Sequence, residues 1–158
     1  MSWAVNSGVS LQVDASARAL ERHLAVLGHL GHERLAQDVG ADIGEYMLGQ
    51  IQDRFDEQRL VDGSPMPQSA AALERDGKTL IDRHHLYDSY VYQLTPSGVV
   101  VGSNSAYARI HHFGGRAGRN ASVNIEPRPV LGTNAADERE IGQIILSGLE
   151  RLAPGGLS

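Results

Sequence analysis

Histidine is the residue type in this sequence that is best suited to chemistry. The chain contains seven histidines, and four of them form two adjacent pairs, His84 with His85 and His111 with His112. An imidazole titrates near neutral pH and is a common metal ligand. However, adjacent residues point to opposite faces of a strand or lie about 100° apart on a helix, so neither pair readily shares one metal ion. A zinc site of His85, His111 and a carboxylate such as Asp82 would need tertiary contacts to assemble it.

The other signatures of catalysis are missing. The chain has no cysteine, which excludes a thiol nucleophile, a disulfide framework and thiolate metal sites. It has no Gly-x-Ser-x-Gly nucleophile elbow, and the glycine-rich residues 114–118 lack the preceding strand and the lysine of a phosphate-binding loop. The sequence therefore favours a protein without catalysis, metal or cofactor. A metal-dependent hydrolase that uses the histidine pairs is the alternative.

The charge of the chain is unevenly distributed. Its 158 residues carry 14 basic and 19 acidic side chains, a formal net charge of -5. Residues 89–136 contain four arginines and one glutamate, a net +3, so the remainder carries -8. A general nucleic-acid-binding protein usually has a dominant basic surface, and with 5% aromatic residues a stacking platform for single strands is not expected. The basic segment is suited instead to an acidic partner surface.

Length and hydropathy predict a single domain over residues 1–158. A chain of this length buries about two-thirds of the surface that its unfolded form exposes, which is enough for one core. No stretch approaches the roughly 18 apolar residues of a membrane span. Residues 1–13 lack the basic and apolar regions of a secretion signal. We therefore expect no membrane partner.

The long helix predicted from about His32 to Gln58 is the main element that must position the candidate residues. Apolar side chains recur along it every three or four residues and form one stripe: Leu35, Val39, Ile43, Tyr46, Met47, Ile51 and Phe55. Gly40, Gly44 and Gly49 lie inside it, and each costs about 1 kcal/mol relative to alanine. Their spacing places them near one side, either as surface positions or where another helix or subunit packs closely.

The other elements follow from shorter patterns. Alternating apolar residues predict strands, recurrence every three or four residues predicts helices, and glycine or proline marks the ends. The predicted elements are a strand at 9–13, a helix at 17–27, the long helix, one or two helical turns at 68–75, a hairpin of strands at 86–94 and 99–101, a helix at 106–113, a flexible loop at 114–121, a strand at 122–126 and a C-terminal helix over 141–152, capped by Asn134 or Asp137. This order predicts an α+β fold, with a small antiparallel or mixed β-sheet packed with the long helix and the C-terminal helix, and with extended loops.

Four segments carry motifs that occur together in one protein family. The first is residues 51–55 (IQDRF) with the turn at 62–65 (DGSP), and the second is residues 80–89 (LIDRHHLYDS). The third is residues 107–114 (YARIHHFG), whose Tyr-Ala-x-Ile-His-x-x-Gly pattern is the most specific, and the fourth is residues 125–132 (IEPRPVLG). Their order and spacing, over nearly the whole chain, resemble the phage virion morphogenesis family, the tail-completion proteins of Mu-like phages and prophages.

The sequence departs from that family's pattern at three places. Met66 lies near the position where the family often has a tryptophan, after the Asp-Gly turn. His84 and His85 replace a Thr-Gly pair that often precedes the leucine of the second segment, and Val130 replaces a bulky aromatic residue after Arg-Pro. These departures concern local packing rather than membership of the family.

The resemblance implies a structural, non-enzymatic role in phage or prophage morphogenesis. It implies action in tail completion or head–tail joining, as a ring-forming subunit at the head-proximal end of the tail. Six copies would match the sixfold symmetry of tails. The implied partners are further copies of the chain and tail tube, terminator or neck proteins. The implied locations are the host cytoplasm during assembly and then the tail or neck of the virion.

Six residues in the basic part of the chain are predicted to lie at an interface: Tyr107, Arg109, His111, Arg116, Arg119 and Arg128. Their arginines would contact either acidic neighbours or DNA in a central channel. The acidic chain as a whole favours protein contacts, and a DNA-contacting neck protein is a further alternative. Arg128 is held in extended backbone between two prolines and is expected to reach a neighbour. For Tyr107 and His111, packing of the short helix on the sheet is the alternative role.

Overall fold

The protein has an α+β fold in a computed structural model that describes residues 9–14, 29–81 and 85–152. Its elements are β1 (Val9–Asp14), α1 (His29–Glu57), α2 (Ala70–Glu74), a 3-10 turn (Tyr87–Ser89), β2 (Tyr90–Thr95), β3 (Gly98–Ser103), α3 (Ala106–Phe113), β4 (Gly115–Ala117), a second 3-10 turn (Arg119–Ala121), β5 (Val123–Ile125) and α4 (Ala135–Leu152). The predicted fold class is confirmed. The helix predicted at 17–27 lies outside the described residues. Among the described helices, none has both the length and the apolar run needed to cross a membrane.

The described residues divide into two compact units. The first unit comprises the described parts of residues 1–11, 48–91 and 102–132, and the second those of 12–47, 92–101 and 133–158. The first contains the C-terminal end of α1 with α2, α3, β4 and β5, and the second contains the preceding part of α1 and α4. The assignment of residues 1–158 to a single domain stays a prediction.

Helix α1 spans 29 residues, about 43 Å at 1.5 Å per residue. Six apolar side chains at successive four-residue steps are at most 2% exposed: Leu35, Val39, Ile43, Met47, Ile51 and Phe55. A four-residue step overshoots one turn by only about 40°, so these side chains lie on one buried face. The predicted stripe is confirmed. Tyr46, which is half-buried, donates its hydroxyl to Asp137 Oδ1 at 2.9 Å.

Helix α1 ends at a left-handed residue other than glycine. Gln58 has a φ of 55°, and the N–H of Arg59 donates to the carbonyl of Arg54 at 2.9 Å. This bond across the helix end satisfies a carbonyl that the last turn leaves free. The side chain of Gln58 donates to the carbonyl of Phe55 at 2.7 Å, which adds a second local contact at the helix end.

The predicted hairpin is confirmed as β2 and β3. The strands of the three-stranded sheet are ordered β1-β3-β2, so β3 lies in the centre, and its Val99 and Val101 are fully buried. The first strand of the hairpin begins at Tyr90, whereas the sequence predicted that it begins at residue 86. Ser89 explains the later start, because its hydroxyl donates to the carbonyl of Leu86 at 2.7 Å and closes a 3-10 turn before the strand.

Two of the glycines in α1 lie where the hairpin packs closely. A Cβ at Gly40 would lie 2.9 Å from the carbonyl oxygen of Gly98, and a Cβ at Gly44 would lie 2.5 Å from Cγ of Tyr92. Nothing lies within 4 Å of a Cβ placed at Gly49. The close approach at two of these positions is therefore made by this chain's own hairpin, and Gly49 faces open space.

Alanine substitutions at Gly44 and Gly49 are expected to have opposite effects on stability. Gly49→Ala should raise the free energy of unfolding by about 1 kcal/mol, because alanine has the higher helix propensity and has room here. Gly44→Ala should lower it by about 1–2 kcal/mol, because the new methyl group collides with the ring of Tyr92. Urea unfolding of the two variants and the wild type measures both effects. Equal stabilisation by the two substitutions would contradict the packing described.

Helix α4 begins with a reciprocal cap. The side-chain oxygen of Asn134 accepts the N–H groups of Ala136 and Asp137, each at 3.0 Å. The carboxylate of Asp137 in turn accepts the N–H of Asn134 at 2.9 Å. This is a capping box, and both residues predicted as alternative caps take part in it. Gly148 lies directly against Val39 of α1, so α4 packs on α1 within the second unit.

The segment predicted to be a flexible loop, residues 114–121, contains regular structure. β4 pairs antiparallel with β5, with Arg116 opposite Asn124, and the 3-10 turn at Arg119–Ala121 lies between them. The sequence missed β4 because glycine is depleted in strands, and this strand is only three residues long. The predicted strand at 122–126 is confirmed as β5. The flexibility of the segment stays a prediction.

Candidate functional site

The four motif segments come together in the first unit, around residues 126–132, which we call the Pro-Arg-Pro loop. The loop follows β5 and leads towards α4 without regular structure of its own. Its two prolines have no N–H, so the loop has fewer backbone donors with which to hold itself in place. Side chains and backbone groups of other segments therefore hold it in position.

Arg54, from the first motif segment, binds the far end of this loop. Its side chain is 6% exposed, and Nη1 donates to the carbonyl oxygens of Val130 at 2.7 Å and Gly132 at 3.0 Å. A buried guanidinium is costly unless it is hydrogen-bonded, and bonds from a charged donor are stronger than neutral ones. The N–H of Val61 adds a bond to the carbonyl of Pro129 at 3.1 Å. The helix end and the following turn thus fix the loop from one side.

Arg128, from the loop itself, does not reach outward as the sequence predicted. Its side chain is 7% exposed. Nε donates to the carbonyl of Pro67 at 2.7 Å and Nη1 to the carbonyl of Glu126 at 3.1 Å, while Nη2 lies 3.6 Å from the Glu126 carboxylate. Its backbone N–H donates to the carbonyl of His111 at 2.7 Å. Extended backbone between two prolines does not show that another segment of the chain covers the side chain.

The turn of the first motif segment is held by its own aspartate. The carboxylate of Asp62 accepts the N–H of Ser64 at 2.9 Å and its hydroxyl at 2.5 Å. These hydrogen bonds lower the pKa of Asp62 below its usual value. The arrangement is an Asx turn, and it precedes Met66, which is buried. Met66 therefore fills a packing position where the family often has a tryptophan.

Thr79, which directly precedes the second motif segment, is joined to the end of α1 by a reciprocal pair of bonds. The side-chain oxygen of Gln58 accepts the N–H of Thr79 at 2.7 Å, and its amide nitrogen donates to the carbonyl of Thr79 at 3.1 Å. Thr79 is fully buried, and its hydroxyl accepts the N–H of Ser69, the cap of α2. The rings of Phe55 and Tyr87 also meet, with centroids 5.8 Å apart.

The third motif segment forms α3 and the glycine that ends it. Ala108 is buried, and Gly114 has φ 72° and ψ -177°, a conformation almost restricted to glycine. A Cβ at Gly114 would lie 2.8 Å from the carbonyl oxygen of Ile125 and 2.8 Å from Cδ of Pro127. The glycine of this motif is therefore needed where α3 meets the start of the Pro-Arg-Pro loop. Tyr107 is 72% exposed, which favours a role outside packing.

The two histidines of α3 are half-buried and resist protonation. Burial and the nearby charge of Arg128 lower the pKa of His111, and burial lowers the pKa of His112. Nδ1 of each ring is buried and has no hydrogen-bond partner among the described residues. Both rings are therefore expected to be neutral at pH 7.

Acid is expected to destabilise the protein through His111 and His112. Their pKa values in the folded chain lie below the ordinary value of 6.5, so the unfolded chain takes up protons first. The free energy of unfolding should therefore fall as the pH falls from about 7 to about 5. Urea unfolding at about pH 7.5 and about pH 5.5 measures this loss, which should be smaller in a variant carrying His111→Gln and His112→Gln. An equal loss of unfolding free energy in the variant and the wild type would contradict the assignment of this loss to His111 and His112.

An open groove of about 1110 Å³ lies beside the loop in the first unit. Its lining includes Tyr107, His111, Val123 and Ile125, and His85 as well. The residues that the structure describes include no group of three or more His, Asp or Glu side chains placed to hold a metal ion. Asp82, the third member of the zinc site considered from sequence, lies outside those residues. His85 and His111 thus share a groove without a third described ligand.

The six residues predicted to lie at an interface fall into two groups. Tyr107, Arg109, Arg116 and Arg119 are exposed, while His111 is half-buried and Arg128 is buried. Contact of any of them with a neighbouring subunit stays a prediction. Sequence reasoning missed Arg54, although its place beside the buried Phe55 inside a motif segment was a signal that it is not simply a surface charge.

Comparison with known proteins identifies the family. The model of the phage virion morphogenesis family matches residues 15–150. The Mu-like prophage FluMu G protein 2 of Haemophilus influenzae is 33% identical to the chain over 111 residues, which cover 69% of this chain and 79% of that protein. No solved structure matches the chain. The family match covers most of the chain and includes all four motif segments, so the protein belongs to the phage virion morphogenesis family.

Proposed function

We propose that this chain is a structural protein that completes the phage or prophage tail or joins it to the head, and that it acts without catalysis. Membership of the family supports the role in morphogenesis. The observation that carries the structural role is the use of polar side chains in and between the motif segments. Arg54, Gln58 and Arg128 donate hydrogen bonds to backbone carbonyls and thereby fix one loop and its neighbouring segments. Such residues build a surface rather than a reaction centre.

The chain acts as a ring-forming subunit at the head-proximal end of the tail. A ring of six copies matches the sixfold symmetry of tails, and each copy presents one surface to the copy before it and another to the copy after it. Its partners are further copies, together with tail tube, terminator or neck proteins. The subunit is assembled in the host cytoplasm and remains in the tail or neck of the virion. The name of the Haemophilus influenzae relative as a Mu-like prophage protein supports this setting.

Deletion of the gene from its phage or prophage tests the proposal. After induction, the deletion should abolish infectious particles, and electron microscopy should show tails that are incomplete or separated from filled heads. A plasmid copy of the wild-type gene should restore both features. Normal infectious particles from the deletion strain would show that the proposal is wrong.

Metal analysis of the purified protein is an independent check on the absence of catalysis. We expect no stoichiometric zinc or manganese. A stoichiometric metal that is lost in His85→Ala and His111→Ala would support a metal-dependent hydrolase at the groove instead.

A further inference from the structure

We propose that an exposed arginine surface on the first unit docks on an acidic helix face of a second copy of this chain. The arginine surface consists of Arg109, Arg116 and Arg119 with the rings of Tyr107 and Phe113. The acidic stripe consists of Asp38, Asp42 and Glu45 on α1. This inference rests on the proposed ring-forming function and names the two faces that meet between neighbouring copies.

The three arginines of this surface have no partner within the described chain. Arg109, Arg116 and Arg119 are exposed, and none of their side chains makes a hydrogen bond or an ion pair with a described residue. Residues 102–132 contain four arginines and one acidic residue, Glu126, and that carboxylate pairs with the buried Arg128. Three guanidinium groups thus remain available for bidentate bonds to carboxylates of another molecule.

The backbone beneath two of these arginines belongs to regular elements. Arg109 lies on α3, and Arg116 lies on β4, which is paired with β5. A Cβ placed at Gly115 would lie 3.1 Å from Cδ1 of Ile110, so the start of β4 packs closely on α3. Backbone that is already paired loses less entropy on binding than an unpaired loop.

Two exposed aromatic rings favour a protein as the occupant. Tyr107 is 72% exposed and Phe113 is 63% exposed, and the ring of Phe113 meets that of His112 edge-on, with centroids 4.6 Å apart. Tyrosine and arginine are among the residue types enriched at the positions that dominate binding energy at protein interfaces. A surface that binds only a phosphate backbone would need the arginines but not the rings.

The second unit carries the complementary charge. Its described part contains nine acidic and three basic residues, a net -6. Asp38, Asp42 and Glu45 are exposed and follow one another at steps of four and three residues, so they share one face of α1. Asp42 already pairs with Arg151 at 3.0 Å, whereas Asp38 has no partner among the described residues. A basic face and an acidic face on the same chain favour a head-to-tail contact, the type of contact from which rings of identical subunits are built.

Charge reversal on each face separately, followed by mixing, tests the proposal in the full-length chain. One variant carries Arg116→Glu and Arg119→Glu, and the other carries Asp38→Arg and Glu45→Arg. Alone, each variant brings like charges together and should weaken self-association roughly 100-fold. Mixed in equal amounts, they should associate again. The arginine surface of the first variant, now acidic, then meets the stripe of the second variant, now basic, and their unaltered faces still match. Light scattering measures the mass of the assemblies that each variant forms alone and that the mixture forms.

Two control variants each reverse one charge elsewhere, one of each sign. Arg139→Glu and Glu74→Arg alter exposed residues outside both faces and should leave association unchanged. Circular dichroism confirms that each variant is folded. In a deletion strain, the variant with Arg116→Glu and Arg119→Glu and the variant with Asp38→Arg and Glu45→Arg should restore infectious particles only when they are expressed together.

Three results would overturn the inference. The first is association and complementation by either variant alone, and the second is a mixture that stays dissociated. The third is duplex DNA binding by the wild type that Arg116→Glu with Arg119→Glu abolishes, with a steep dependence on salt and no rescue by the second variant, which would assign the arginine surface to DNA. Each of these results would leave the proposed function standing, because the deletion strain would still fail to make infectious particles. A deletion strain that still makes normal particles would overturn the proposed function itself.

Discussion

Gly114→Ala is expected to lower the free energy of unfolding by about 3 kcal/mol. Two costs add at this position. The backbone, at φ 72° and ψ -177°, lies in a region that residues with a side chain occupy at a cost of about 1–3 kcal/mol. The new methyl group would also lie 2.8 Å from the carbonyl oxygen of Ile125 and equally close to the ring of Pro127, and overpacking typically costs about 1–3 kcal/mol. Backbone and a proline ring cannot move aside as a flexible side chain can.

Gly118 provides a matched control for this prediction. It has nearly the same backbone conformation, φ 80° and ψ -179°, but the nearest atom to a Cβ there is Cγ2 of Val123 at 3.4 Å. Gly118→Ala should therefore cost only the conformational part, about 1 kcal/mol. Urea unfolding of both variants gives the difference, which measures the collision alone. Equal costs would mean that α3 does not meet the Pro-Arg-Pro loop as described.

The elements with a strong local period could be predicted from the sequence. The stripe of α1 follows from apolar spacing, and α3 was predicted at the residues where it lies. The cap of α4 follows from Asn134, whose side chain competes for backbone N–H groups at a helix start. The start of β2 could not be predicted, because the bond from the Ser89 hydroxyl to the Leu86 carbonyl outweighs the strand propensity of the residues before it. The existence of β4 could not be predicted either, because its pairing with β5 outweighs the low strand propensity of its own residues.

The candidate site was predictable only as a set of segments. The four motifs indicated which parts of the chain matter, but not that they meet, because their contacts span up to 78 positions in sequence. Arg128 was expected to reach a neighbour because it is held in extended backbone between two prolines, but its partner, the carbonyl of Pro67, lies in another segment of the same chain. Val130 is likewise buried at a position where the family often has a larger residue. The spacing of apolar residues along the chain carries no information on contacts between segments that are distant in sequence.

Arg54→Met is expected to lower the free energy of unfolding by about 3 kcal/mol. Methionine preserves much of the apolar stem of arginine but leaves the carbonyl oxygens of Val130 and Gly132 without their charged donor. Each buried acceptor left unsatisfied costs about 1–3 kcal/mol. The effect should also be local, because the N–H of Val61 bonds to Pro129 in the same loop. Hydrogen exchange should therefore become faster at Val61 before the whole chain unfolds.

Arg59→Met separates this role from a general effect of removing an arginine near the end of α1. The Arg59 side chain is 60% exposed and its ion pair with Glu57, at 3.4 Å, is equally exposed, so its loss should change stability by less than about 1 kcal/mol. In a deletion strain, Arg59→Met should restore infectious particles as the wild type does, whereas Arg54→Met should not at elevated temperature. Because Arg54 lies in the interior, it can reach a partner only through the loop that it holds. Full stability in Arg54→Met, combined with loss of particles, would therefore contradict its assignment as the residue that fixes the Pro-Arg-Pro loop.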